Sequence, residues 1–452
     1  MKIIIIGCGQ VGMTLVKQLS QENHDITVID TNGDKVRKLT EDYDIMGLCG
    51  NGVRLATLME AGIENTDIII AVTKSDEINL LCCIMAKKTG KCHTVARVRN
   101  PVYSGETEFI RQQMGISVII NPELETAAEI SQLIKYPSAE QIDSFANGKL
   151  HLVKIKIRKT SPLADTAVKD IFPKTGCEML VCAVERGENV LIPDGSTALY
   201  EGDTISFVAS DDKIHGIFEK LGLGNKTIRN ALVVGGDTTA YYLARMLTKV
   251  GIRTKIIEER PDVCERLCDL LPDVDVIHGD GTDKKLLLEE GIENTDAFVA
   301  LTGIDEENIF LSMFAKGKSS AKLISKVNRL EFDDIINGLD IDSVIYPKYI
   351  TADYIMQFVR ATQNSAGNNI STLYRILDNK VEAIEFKVHE ASPVVSKPIM
   401  DLSLRSDILI CCIIRNDKVI VPGGRDTIEK GDSVIIVTLR KALGDISDIL
   451  EE

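Results

Sequence analysis

Six residues close to the N-terminus, Gly7-Cys8-Gly9-Gln10-Val11-Gly12, follow a short apolar run and open a helix-length segment. In that pattern Gly7 makes the tight turn, Gly9 lets backbone approach a pyrophosphate, and Gly12 lets the helix pack close to the strand. The helix N-terminus adds unpaired N–H groups and a partial positive charge for phosphates. Asp30 ends the next apolar run, 18 residues past Gly12. A carboxylate there accepts hydrogen bonds from a ribose diol and repels a 2′-phosphate, so NAD(H), ATP, ADP or another adenine nucleotide is favoured over NADP. Thr73 ends a third apolar run, Ile68 to Val72, at the sheet edge where ligands of open α/β folds bind. Asp76, Glu77 and Asn79 follow it, and helix capping by Ser75 or Asp76 explains them as well as ligand contact does. Arg97 and Arg99 flank the end of the next strand and suit phosphates or a neighbouring carboxylate, with Arg97 preferred for the ligand.

The same words recur later in the chain. Ala61-Gly62-Ile63-Glu64-Asn65-Thr66-Asp67 returns 229 residues later as Glu290-Gly291-Ile292-Glu293-Asn294-Thr295-Asp296. Gly50-Asn51-Gly52 returns as Gly279-Asp280-Gly281, and Gly202-Asp203 as Gly431-Asp432. A repeat of this length means two copies of one architecture. The second glycine loop, Gly235-Gly236-Asp237-Thr238-Thr239-Ala240, is altered: Asp237 stands where Gly9 does and Ala240 where Gly12 does. Glu258 takes the Asp30 position, Thr302 the Thr73 position and Lys326 the Arg97 position. A negative side chain on the pyrophosphate path predicts weaker, different or no binding in the second half.

The elements that must position these residues alternate in type. Ile3 to Ile6, Ile26 to Ile29, Ile68 to Val72 and Thr94 to Val98 are continuous apolar strands, separated by amphipathic segments such as Met13 to Gln21 and Glu77 to Lys88. Strands apolar on both faces are buried on both faces, which predicts an α/β fold with a parallel, doubly wound, Rossmann-like sheet. Glu106 to Met114 and Leu124 to Lys135 read as an appended helical pair, fit either for a dimer contact or for closing their own domain. A small α+β module follows, with strands at Leu152 to Arg158, Glu178 to Glu185 and Thr204 to Ala209 around a predicted helix over Ser161 to Phe172. The order then repeats, giving modules at 1–138, 139–225, 226–365 and 366–452.

Composition bounds the function. A formal net charge of −15 argues against nucleic acid and against unaided docking on anionic lipid. No apolar run approaches the length of a membrane span, so a soluble chain with no direct membrane insertion is expected. Eleven cysteines without a CxxC pair suggest buried free thiols in a reducing cytoplasm, and Cys264 and Cys268 lack further ligands for a metal. The six histidines (His24, His93, His151, His215, His278, His389) form no relay with Ser and Asp. An NAD-dependent oxidoreductase needs a proton relay in a separate substrate domain, and a redox-sensing transcription regulator needs a basic helix-turn-helix. Binding without turnover fits better than either, and no catalytic residue is assigned.

On Gly7 to Gly12, on Ala71-Val72-Thr73 leading to Asp76, Glu77 and Asn79, and on Ala96-Arg97-Val98-Arg99-Asn100-Pro101, the chain resembles the RCK (KTN) nucleotide-binding regulators of potassium channels in their two-repeat form. The resemblance covers nearly the whole chain as RCK_N, RCK_C, RCK_N, RCK_C. It implies a ring of such subunits, built from dimers, peripheral on the cytoplasmic face of the cell membrane. The partner implied is a TrkH-like potassium channel or transporter gated by NAD(H) and adenine nucleotides. Carried onto this sequence, the ligand positions are Gly7, Cys8, Gly9, Gln10, Val11, Gly12, Asp30, Thr73, Lys74 and Arg97. The second-half counterparts are Gly235, Gly236, Asp237, Thr238, Thr239, Glu258, Thr302 and Lys326.

Overall fold

The computed structural model describes residues 1–22, 24–145, 150–187, 189–224, 227–329, 336, 338–339, 341–364, 370–376, 381–388, 392–416, 418–439, 443 and 445–451. They build two units, residues 1–134 with 228–356, and residues 135–227 with 357–452. Each unit therefore takes one matching piece from either half of the chain.

In the first unit, β1 (Lys2–Ile6), β2 (Asp25–Asp30), β3 (Met46–Cys49), β4 (Ile68–Ala71), β5 (His93–Arg97) and β6 (Val118–Ile120) form a sheet ordered β3-β2-β1-β4-β5-β6, and every pair in it is parallel. The order reverses between β1 and β4, and that switch point opens a crevice at the carboxyl ends of the strands. The helices α1 (Gln10–Ser20), α2 (Gly33–Asp42), α3 (Leu55–Glu60) and α4 (Asp76–Thr89) cross over between the strands. The isoleucine-rich strands are buried end to end, as continuous apolar runs require: Ile3, Ile4, Ile5, Ile68, Ile69 and Ile70 are all at most 1% exposed. Strand β3 carries no such run. Met46 and Cys49 are exposed and Gly47 and Leu48 only half-buried, so no apolar pattern announced it.

The small domain that follows holds β7 (Gln141–Phe145), β8 (Leu150–Lys156), β9 (Thr166–Ala167), β10 (Leu180–Arg186), β11 (Asn189–Leu191), β12 (Ala198–Leu199) and β13 (Thr204–Ser210). Five of these form an antiparallel sheet, β11-β10-β13-β8-β7. The predicted helix over Ser161 to Phe172 is not there. A left-handed Asp165 (φ 54°) interrupts it, β9 pairs with β12, and helix is confined to Ile171–Thr175 and a 3-10 turn before it. The second half repeats both sheets. Its strands β14 (Asn230–Val234), β15 (Arg253–Glu258), β16 (Asp275–His278), β17 (Ala297–Ala300), β18 (Lys322–Lys326) and β19 (Ser343–Ile345) take the order β16-β15-β14-β17-β18-β19. The last sheet, β20-β21-β24-β22-β23, is built from β20 (Ile370–Ile376), β21 (Val381–Lys387), β22 (Ile408–Arg415), β23 (Lys418–Ile420) and β24 (Ser433–Thr438).

The repeat closes into pseudo-symmetric pairs within each unit. In the second unit one apolar core is shared by both small sheets, with Leu150, Leu152, Cys182 and Val208 packed among Val381, Ala383, Cys411 and Val437. Cys182 and its repeat-mate Cys411 meet there, Sγ to Sγ, at 3.3 Å. The recurring Gly-Asp word also acquires a reason. Gly202 and Gly431 turn at φ 90° and 86°, and each following aspartate, Asp203 or Asp432, holds an arginine, Arg186 or Arg415, through two hydrogen bonds of 2.7–3.0 Å.

In the first unit the two lobes exchange helices. Asn121, just before the helix Pro122–Lys135, donates to the Tyr242 hydroxyl on the helix Thr238–Lys249 of the second lobe at 2.9 Å. Reciprocally, Gln18 on α1 donates to Asp353 on the second lobe's helix Pro347–Asn364 at 3.2 Å. The helix Pro122–Lys135 thus makes its contact with the matching lobe of the same chain, which is neither of the two expected roles.

Candidate nucleotide site

The turn after β1 is built as the glycine spacing demands. Gly7 adopts φ 106°, and a Cβ there would lie 2.9 Å from the Thr73 backbone nitrogen; a Cβ on Gly12 would fall 2.0 Å from the Gly7 carbonyl oxygen. Both are steric requirements. Gly9 is different, because a Cβ on it would meet nothing within 4 Å. Its bare backbone opens onto free space at the start of α1, and no side chain caps that helix. The first N–H groups of α1 are left available to an anion.

Asp30 sits at the end of β2 beside this turn. It accepts the Cys8 N–H at 2.6 Å and the Asn32 N–H at 2.8 Å, which fixes its orientation and leaves lone pairs for a diol. The Cys8 thiol is buried beneath the loop, and burial followed by the charge of Asp30 pushes its pKa up to about 12, so it is a packing group and not a nucleophile.

On the other side of the switch point, Asn79 ties two strand ends together. It is fully buried; its Oδ1 accepts from the Thr73 N–H (2.8 Å) and hydroxyl (2.7 Å), and its Nδ2 donates to the carbonyls of Thr73 and Arg97. Ser75 caps α4 by accepting the Ile78 N–H, while Asp76 accepts the N–H groups of Arg99 and Asn100. Thus Ser75, Asp76 and Asn79 shape the rim. Arg99 is bound to that rim, donating to the Lys74 carbonyl, whereas the Lys74 side chain is exposed.

Arg97 lies under the rim, with one Nη donating to the Thr73 carbonyl at 3.4 Å and the other 3.6 Å from Glu123. Burial lowers the Arg97 pKa and raises that of Glu123, in each case outweighing their mutual attraction, and Arg97 Nε and Glu123 Oε2 are buried without a partner. The pair is under-compensated, an arrangement suited to receiving more charge. Glu123 carried no signal in the first half alone. Matching the helix starts Pro122 and Pro347 of the two halves would have drawn attention to the residue after each.

The second loop is built from the same backbone and filled by its own side chains. Gly235 turns at φ 102°, as Gly7 does. Asp237, at the Gly9 position, caps the next helix through the Ala240 N–H (3.0 Å) and pairs with Lys326 Nζ at 2.5 Å. Lys326, 7% exposed in its side chain, also donates to the Leu301 carbonyl. Glu258 accepts the Gly236 N–H at 2.7 Å, as Asp30 accepts that of Cys8, but it is clasped by Arg260 at 2.8 Å. Burial alone would raise the Glu258 pKa; the Arg260 guanidinium and two backbone N–H groups bring it below the usual carboxylate value. Its extra methylene fits because Gly236 replaces Cys8: a Cβ at Gly236 would come within 3.0 Å of Glu258. Thr239 and Ala240 are buried in the helix start, and Thr302 repeats the Thr73 bond, to Asn308. Phosphate site, ribose carboxylate and basic residue are each satisfied from within.

A scan against family models matches the TrkA-N domain at residues 3–122 and 231–347 and the TrkA-C domain at 152–222 and 383–451. The chain belongs to the TrkA family. It is 34% identical to the Trk system potassium uptake protein TrkA of Vibrio alginolyticus, covering 99% of this chain and 98% of that one. To the protein of the same description from Haemophilus influenzae it is 31% identical, over 96% and 95%. Among solved structures, the GsuK channel bound to NAD superposes with a TM-score of 0.63 at 18% identity, covering 97% of this chain and 76% of that chain. The GsuK RCK domain gives 0.63 at 18%, over 96% and 92%. At that identity the likeness is one of fold, and it agrees with the tandem Rossmann-like and small antiparallel domains described above. The family's two domain types, each present twice, are the two kinds of module that the sequence repeats.

Proposed function

We propose that this chain is the regulatory, nucleotide-binding subunit of a Trk-type potassium uptake system. Its first lobe takes NAD(H), or ADP or ATP, on Gly7 to Gly12, Asp30, Thr73, Lys74 and Arg97, and occupancy is passed as a change of shape to a TrkH-like membrane channel or transporter. The observation that carries this reading is the uncapped start of α1 over the open face of Gly9, with Asp30 fixed beside it. Relatives named as Trk system potassium uptake proteins and a neighbour described as bound to NAD support the ligand and the system.

Regulation without turnover is the better reading because the groups around the site are backbone, a ribose-type carboxylate and an arginine, and the one thiol there is buried and inert. No helix among the described residues is long and apolar enough to cross a membrane, which suits action through a membrane partner. Exposed apolar side chains on α4 (Ile78, Leu81) and on the matching helix Asp305–Lys318 (Phe310, Met313) suit assembly with further copies into a ring.

Mechanistically, a nucleotide at the edge of the first lobe lies near the helices the lobes exchange, so a ligand preferring one interlobe angle shifts the ring toward it. The test is Gly9→Asp, which places in the first lobe the side chain that closes the second. Calorimetry should show NADH affinity down about 100-fold, the loss of roughly two charge-assisted hydrogen bonds, with melting temperature retained and potassium flux no longer responsive. Unchanged affinity in a folded mutant would remove the site.

A further inference from the structure

Among the described residues Lys348 has no ionic partner in the second lobe that contains it. It begins the helix Pro347–Asn364 and is 7% exposed, yet among the described residues no carboxylate pairs with it, and the contact it makes is with the neighbouring Tyr349 ring, 5.1 Å from Nζ to the centroid. An ammonium at a helix start with no fixed anion can serve one that arrives.

The exchange of helices says where that anion would come from. Asn121 lies just before Pro122 and bonds Tyr242 in the second lobe, while Gln18 on α1 is bonded by Asp353, six residues past Pro347. Each appended helix is therefore hydrogen-bonded, at or just before its first turns, to the loop-following helix of the other lobe. Glu123, the residue after Pro122, comes close enough to the other lobe's Asp237 for that charge to help raise its pKa, behind burial. Exchanging the halves carries Glu123 onto Lys348 and Asp237 onto Gly9. Where the first lobe sets a carboxylate across from a loop already closed by Asp237 and Lys326, the equivalent position of the second lobe, matched to the loop left open, carries an ammonium.

We propose that Lys348, supplied by the second lobe, completes the phosphate-binding site of the first lobe by donating to the diphosphate of the bound nucleotide above Gly9. The second copy of the fold, closed to ligand itself, then serves as the cationic wall of the first copy's site. Nucleotide charge clamps the two lobes together, giving occupancy a direct hold on the angle between them. This inference rests on the reading of the first lobe as the nucleotide site.

The experiment is calorimetric titration of ADP and NADH, with adenosine measured by competition, into the full chain and its Lys348→Gln, Lys348→Arg and Gly9→Asp variants. Lys348→Gln should weaken ADP and NADH about tenfold, the worth of one charge-assisted contact, and leave adenosine unchanged, while Lys348→Arg restores most of the affinity. The penalty should shrink as salt is raised. Wild-type ADP affinity in Lys348→Gln, with Gly9→Asp still defective, overturns the role of Lys348 alone. An equal loss for adenosine and ADP also overturns it, marking structural damage. Full ADP and NADH affinity in Gly9→Asp overturns the site itself.

Discussion

The two lobes share a backbone and differ in who supplies the charges. In the first, a bare turn leaves the start of α1 uncapped beside a carboxylate held by backbone N–H groups. In the second, Asp237 caps the helix, Lys326 neutralises Asp237, and Arg260 neutralises Glu258. Substitutions at four matching positions, with Gly236 making room, turn an open helix start into a self-satisfied network. On the proposed function, one copy takes the ligand and the other acts as its counterpart.

The largest expected effect separates the two carboxylates. Asp30→Ala should lower NADH affinity by about 100-fold, since it removes both the diol acceptor and the group that orients the Cys8 N–H, whereas Glu258→Ala should leave affinity within about twofold. Equal losses from both would mean that the second lobe also binds. Asp237→Gly comes next: it deletes a cap and strands a buried ammonium, at a cost of about 2 kcal/mol once the partial exposure of Asp237 is allowed for. Thermal unfolding should show part of that loss recovered by millimolar orthophosphate, which wild type should not need.

Asn79→Ala and Asn308→Ala sharpen the comparison from the other direction, because these residues did not diverge. Each ties two strand ends from a fully buried position, so each should cost about 2 kcal/mol by leaving buried N–H and C=O groups unpaired. Denaturant unfolding that found one far costlier than the other would show that the lobes are less alike than their backbones. The smallest effect belongs to Glu123. Burial raises its pKa, so the folded chain binds that proton more tightly than the unfolded one. The associated stability is present below about pH 4, the unfolded range, and is lost as pH rises through the raised folded value. Glu123→Gln should flatten this slope and raise the melting temperature at pH 7 by about a degree.

Much of this was legible because it is local. The steric need for Gly7 and Gly12 and the placement of Asp30 beside the turn follow from spacing alone, and the repeat announced two copies of each sheet. Where several physical causes produce one residue type, local reading stalled: Ser75, Asp76 and Asn79 look alike as caps, ligands or braces until the strand ends they join are known. The expected helix over Ser161 to Phe172 failed at Asp165, where backbone geometry overrides the amphipathic pattern. Contacts between lobes, such as Asn121 with Tyr242 and Gln18 with Asp353, leave no trace in any window of sequence. They emerge only when the two halves are folded against each other.

The central claim is that one lobe is open and the other closed by its own side chains. It is tested most directly by the stoichiometry of NADH binding to the purified full chain in calorimetry. The account predicts one nucleotide per chain, abolished by Gly9→Asp; two equivalent sites per chain, or a single site that survives Gly9→Asp, would contradict it.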